Sequence, residues 1–244
     1  MNPIATLFLR ELRGYFATPL GYVFIVIFLL LSGAFTFYMG GIYERGQADL
    51  EPFFYYLPWL YLFLVPAVAM RLWADERKSG SIELLLTLPI TMWQAVAAKF
   101  LAAWSFIGLA LALTFPIWLT INFLGEPDNG AIFAAYLGSL LMAGGFLAIG
   151  SCISAATRSQ VVAFILSVAI CFLLLLAGFP LVLDVFRAIA PQSLVDAVAG
   201  LSFLTHYNAI AKGVIDLRDL IYFLLSIGFW LYANAVVIDL KKAD

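Results

Sequence analysis

Asp75-Glu76-Arg77-Lys78 sets four ionisable side chains in succession, and Glu83 follows a few residues later. Carboxylates and cations mixed at this spacing suit ion pairing with another surface. The stretch holds no histidine or cysteine, and H-E-x-x-H occurs nowhere in the chain, so metal-assisted hydrolysis has no footing. Around the charges stand Gly80, Ser81, an apolar trio Ile82, Leu85 and Leu86 at i, i+3, i+4, and Pro89. Ser81 can cap a helix whose first turn carries Glu83. Gly80 permits the bend into it, and Pro89 stops it. The pattern predicts a short helix, charged at its start and apolar along one side. One reading is a hairpin loop with ordinary solvated charges. The other is an apolar knob with an ionic collar, fitted to a partner's cleft.

The elements that must position this stretch are nearly all grease. Of 244 residues, 64% are hydrophobic and 11% charged, with mean hydropathy +1.03. Soluble domains have about 45–50% apolar and about 25% charged residues, so the bilayer is the natural solvent for this chain. At mid-bilayer, each of the charges at 75–78 would cost about 3 kcal/mol, so the stretch belongs at or below a membrane surface. The net charge of −2 offers no basic domain to nucleic acid. Cys152 and Cys171 lie in apolar runs and read as small core residues. His206 has no nearby second ligand. No G-x-x-x-x-G-K-[ST] occurs, so the chain has no P-loop for ATP.

Asn2-Pro3 looks like an N-cap and first helical position. Ile4, Leu7, Phe8, Leu12 and Tyr15 then recur at helical spacing, with Thr6, Arg10 and Arg13 on the other face. Residues 1–17 read as an interfacial helix, or as the helical start of the first span. The apolar run after them is too long for a cleavable signal peptide. Six spans are expected, at about 20–39, 53–73, 91–124, 132–156, 161–183 and 220–238. Pro58, Pro66 and Pro116 are candidate kinks, and Thr91-x-x-Gln94 is a capping box. Residues 184–219 read as short outer helices that touch the membrane without crossing it. Trp73 and Trp93 read as interface anchors. Gly144-x-x-x-Ala148 and Gly150-x-x-x-Ser154 allow close helix approach, within the chain or across a dimer seam. No ionisable group lies deep in a span so drawn, which disfavours an ion-coupled carrier. With both termini inside, Lys and Arg number nine on the inner face against four outside. Both termini and the charged stretch are therefore expected in the cytoplasm.

The segment from Glu76 to Ile90, "ERKSGSIELLLTLPI", resembles the E-R-x-x-G-[ST]-x-E-x-L-L-x-x-P segment of ABC-2 type permeases. "RELRGYFATPLGYVFIVIFLLLSGAF", "EPFFYYLPWLYLFLVPAVAMRLWADE" and "GVIDLRDLIYF" are similar to the gliding-motility-associated branch of that family. The resemblance implies an all-α, polytopic permease domain over residues 1–244, with six spans, an N-terminal interfacial helix carrying Arg10 and Arg13, and a coupling helix at 74–90. Glu76, Arg77, Gly80, Glu83, Leu85 and Pro89 match the family's coupling positions, and Asp75 and Leu86 stand beside them. It also implies a bacterial inner-membrane exporter subunit that is not itself an enzyme. A separate cytoplasmic ABC ATPase dimer would bind ATP and Mg, and a second permease copy or paralogue would complete the complex, with membrane lipid around it. An envelope accessory protein is a further possible partner. Two alternatives are a complex that passes mechanical work without moving a substrate, and a carrier or channel acting alone. No substrate is named by the residues.

Overall fold

A computed structural model describes residues 3–81, 90–189 and 191–241, and these are almost all helical, with no strand among them. Local signals fix several helix starts. Pro3 opens α1 (Pro3–Ala17), and Thr18, extended at φ −116° and ψ 146°, delivers the chain to Pro19 at the start of α2 (Pro19–Gly33). A wider, π-type turn over Ala34–Met39 prolongs α2, and the short α3 (Ile42–Arg45) comes next. The capping box closes as its sequence predicts: the Gln94 amide donates to Thr91 Oγ1 at 3.3 Å, and the Thr91 amide donates to Gln94 Oε1 at 3.0 Å. It starts α6 (Met92–Ala112).

Prolines and tertiary partners set the breaks. Pro116 lacks an amide hydrogen and crowds the carbonyl four residues back, at Ala112, which is where α6 ends. The chain restarts as α7 (Phe115–Leu124), so the kink expected at Pro116 is a break. Pro58 and Pro66 are accommodated inside α4 (Glu51–Ala69). A bend at Met70 then leads into α5 (Arg71–Ser79). The second span, expected to end near residue 73, continues as helix through the charges at 75–78 to Ser79, and Gly80 terminates it at φ +72°. The short helix expected after Ser81 lies outside the described residues.

The hub is α8 (Asn129–Ala156), capped by Asp128, whose carboxylate accepts from the Gly130 and Ala131 amides at 2.9 and 3.1 Å. It packs against α4, α5, α6, α9 (Gln160–Leu176), α12 (Phe203–Ala211) and α13 (Leu217–Leu240). Lipid gives helices no hydrophobic reason to associate, so close packing must hold them together. The small residues of α8 supply it inside the chain. A Cβ on Gly145 would lie 2.2 Å from the Phe203 ring, and one on Gly150 would lie 2.4 Å from Ala69. Of the two readings of these residues, packing within the chain is the one realised.

Among the described residues five helical stretches are long and apolar enough to cross a membrane, and α9 is a shorter apolar helix of 17 residues. The fifth span was expected to run to residue 183. It ends at Leu176, and α10 (Pro180–Ile189) and α11 (Gln192–Gly200) continue the chain with α12 before α13. Large apolar side chains on α2, α9 and α13 face outward, as lipid-facing helices require.

Candidate functional site at the charged end of the bundle

The charged stretch is placed by four neighbours. Ser154 of α8 holds the bend at Met70. Its hydroxyl donates to the Met70 carbonyl at 2.8 Å and accepts from the Trp73 and Ala74 amides at 3.1 and 3.0 Å. These are backbone groups left over where α4 gives way to α5, so one side chain satisfies what the bend exposes. Next to it, Ser151 Oγ accepts from the Trp73 indole at 3.1 Å and from Asn234 of α13 at 2.7 Å. Trp73 is fully buried, which corrects its reading as an interface anchor; its indole N–H has a partner in the core. Trp93 is half exposed and stacked on Tyr232, as an anchor would be.

Beyond Trp73 the charges divide by direction. Asp75 pairs with Arg71 at 3.3 Å and accepts from the Gln160 side chain of α9. Glu76 turns inward. Its Oε1 meets Lys99 of α6 at 2.8 Å, and Lys99 also meets Glu11 of α1 at 3.3 Å. The Lys99 ammonium lies 5.2 Å from the centroid of the Trp73 ring. The Lys99 side chain is only 4% exposed. Lys99 sits about two turns into α6 at the charged end of the bundle, in keeping with its place among the expected inner-face cations, and so is not deep in a span. The charge is tolerated because two carboxylates and an aromatic face compensate it. Burial raises the Glu11 carboxyl, but the Lys99 charge and the Arg10 hydrogen bond outweigh it and hold Glu11 below the usual range.

Arg77 donates to the Ala155 carbonyl at the end of α8 at 2.5 Å, and Lys241 at the end of α13 donates to the Ala156 carbonyl. Cations at a helix C-terminus meet its orphan carbonyls and the negative end of its dipole. The described ends of the chain therefore lie at one end of the bundle. Arg10 and Arg13 point away from the bundle on the exposed side of α1. Glu83, Leu85, Leu86 and Pro89 lie outside the described residues.

At the opposite end, His206 is not alone. Its Nδ1 faces Asp219 Oδ1 at 2.6 Å and its Nε2 faces the Gly200 carbonyl at 3.1 Å, while Tyr222 stacks on the ring at 3.9 Å. The pair fastens α12 to the start of α13. Both nitrogens are engaged, so the ring serves as a fastener and not as a free base. Among the described residues no cluster of His, Cys, Asp and Glu could hold a metal ion.

The sequence reading missed Glu11, Lys99, Ser151, Ser154, Gln160 and Asn234 as members of this end. A signal existed for two of them. Glu11 falls between Leu7 and Tyr15 on the apolar stripe of α1, and Lys99 falls between buried Ala95 and Ala102 on α6. A charge on a buried stripe demands an opposite charge facing it.

Among the described residues this end holds no cluster that could bind a metal ion; its ionic and hydrogen-bonded contacts tie α5 to α6, α8 and α9, and Lys99 of α6 carries the tie on to Glu11 of α1. No curated protein matches the chain. A family model described as ABC-2 family transporter protein matches residues 7–231, which takes in nearly all of the crossing helices. On that match, and on its bundle of apolar helices, the chain belongs to the ABC-2 transporter family and is a multi-pass, all-α membrane permease of an ABC transporter.

Proposed function

We propose that the chain is the permease subunit of an ATP-driven exporter of the gliding-motility-associated branch, driven by a separate cytoplasmic ABC ATPase dimer that holds ATP and Mg. In this reading residues 1–244 form one permease domain in the bacterial inner membrane with both termini in the cytoplasm, and a second permease completes the pore. Asp75, Glu76, Arg77 and Gly80, with Glu83, Leu85, Leu86 and Pro89 beyond them, form the coupling segment. Arg10 and Arg13 face the headgroups on the cytoplasmic side.

The observation that supports the reading is the way α5 is held. A helix that receives a push must not yield within itself or at its supports. Here α5 ends in a glycine turn at Gly80, and behind that turn Glu76, Arg77, Trp73 and Asp75 tie it to three other membrane helices and to α1. A displacement at Gly80 is thereby delivered to α1, α6, α8 and α9 together. Glu76 and Arg77 act in this scheme as anchors inside the permease, and Glu83 as the outward ionic contact.

Purification of the tagged chain from its native membrane in mild detergent tests this. A stoichiometric ABC ATPase is expected, lost on Glu83→Lys while membrane insertion is unchanged. A monodisperse chain that brings no ATPase overturns the proposal.

A further inference from the structure

Beside the Lys99 cluster, a cavity of about 270 Å³ opens between α1, α2, the α4–α5 bend and α6. One side is charged and the other apolar. Glu11, Arg71, Asp75 and Lys99 line it, two carboxylates and two cations. Leu20, Phe24, Val68 and Phe106 form the apolar wall, and Leu20 is 56% exposed, so that wall continues into the lipid-facing surface of α2. Lys99 is committed to Glu11 and Glu76. Arg71 is not. It meets Asp75 through Nε alone, and among the described residues its two terminal nitrogens have no protein partner. Tyr15 lines the same cavity, its ring stacked on Phe106 at 4.7 Å and its hydroxyl within the field of Arg71.

We infer that this cavity is a binding site for a zwitterionic phospholipid with a phosphoethanolamine headgroup. The free edge of a guanidinium is a two-pronged donor suited to phosphate oxygens, and the Tyr15 hydroxyl adds a third donor. Each carboxylate of Glu11 and Asp75 has spare lone pairs for an ammonium. The four charges of the lining cancel, so a headgroup carrying one charge of each sign matches them, whereas an anionic headgroup leaves a carboxylate facing its negative charge. The acyl chain leaves along Leu20 and Phe24 into the bilayer. The site lies where α1, with Arg10 and Arg13 exposed, meets the first crossing helix, which is the depth of headgroups for an amphipathic helix. The inference stands apart from the ATPase: the lipid would bind whether or not the permease is coupled.

Two variants separate the site from the lipid shell. Arg71→Gln removes the phosphate donor. Gly14→Leu fills the cavity from α1, where an added Cβ meets nothing within 4 Å, so folding is preserved. The wild type, Arg187→Gln as a distant control, and both variants are extracted from vesicles of equal phosphatidylethanolamine and phosphatidylglycerol, and retained lipid is counted by native mass spectrometry. One phosphatidylethanolamine per chain is expected in the wild type and the control, with retention down about tenfold in both variants. Equal retention in the variants would reduce the lipid to bulk shell and overturn the site. Preferential retention of phosphatidylglycerol, or retention of neither lipid, would overturn it as well.

Discussion

Lys99 and Glu76 stand 2.8 Å apart across the interface of α6 and α5, and the same ammonium reaches Glu11 of α1 at 3.3 Å. Three helices thus share one buried cation. Glu76 Oε2 has no hydrogen-bond partner among the described residues, so the cluster has little reserve. Lys99→Met leaves two carboxylates facing each other out of water. Removing one partner of a buried ionic cluster costs about 3–5 kcal/mol. Thermal unfolding in detergent should show a large drop in midpoint, and Lys99→Arg should recover part of it. A midpoint within a degree of wild type for Lys99→Met would refute the role of the trio.

Acid should loosen α1 through Glu11. Its folded carboxyl sits below the ordinary value of 4.5. A depressed carboxylate contributes stability that is present above the unfolded value and is lost as pH falls through the folded one. The wild type should therefore hold a constant unfolding midpoint from pH 7 to about 5 and lose stability below about 4.5. Glu11→Gln should start lower and show a shallower loss over that acid range. Parallel curves for the two proteins would show that Glu11 is not the titrating contact.

Ser154 carries the bend at Met70. With Ser154→Ala, the Trp73 and Ala74 amides and the Met70 carbonyl lose their side-chain partner in a dry interior. Such unsatisfied groups cost about 1–3 kcal/mol. The distance from the end of α5 to the loop between α8 and α9 should then vary more, read by spin labels at Ser79 and Arg158 as a broadened distribution. An unchanged distribution would mean that packing alone fixes the bend.

Gly145 packs under Phe203, tying α8 to α12. Gly145→Ala forces a Cβ to 2.2 Å from the ring and should destabilise by about 1–3 kcal/mol. Adding Phe203→Ala should relieve the clash, so the double variant costs less than the two single changes summed. Strict additivity in the unfolding midpoints would rule out the contact.

The sequence was most legible where structure is local. The Thr91–Gln94 box, the Pro19 start and the break before Pro116 are written within a few residues of where they act. The bend at Met70 was not legible, because the hydroxyl that holds it belongs to Ser154, more than eighty residues away, and reads in sequence as one small residue in a stripe. Likewise the hydrophobic pattern ended the second span near residue 73 and left the charges at 75–78 outside it, whereas the helix runs on through them to Ser79. Periodicity cannot tell a helix that begins with charge from one that ends with it; Gly80 decides, and a left-handed cap is as easy to read as a hinge into the next helix. Glu11 and Lys99 were each visible as a charge on an apolar stripe, but only the fold shows that they answer one another.

The 17 residues of α9 set a condition on the membrane itself. At 1.5 Å per residue that helix is about 25 Å long, against a hydrocarbon core of about 30 Å. Its neighbour α8 has 28 residues, so one flank of the bundle meets the bilayer at full thickness and the other does not. Lipids beside α9 must shorten to cover it, at a modest cost per ångström of mismatch. A crossing α9 would thus favour a thinner bilayer along one side of the protein, and the point that sets this preference is just before Gly178, where α9 stops short.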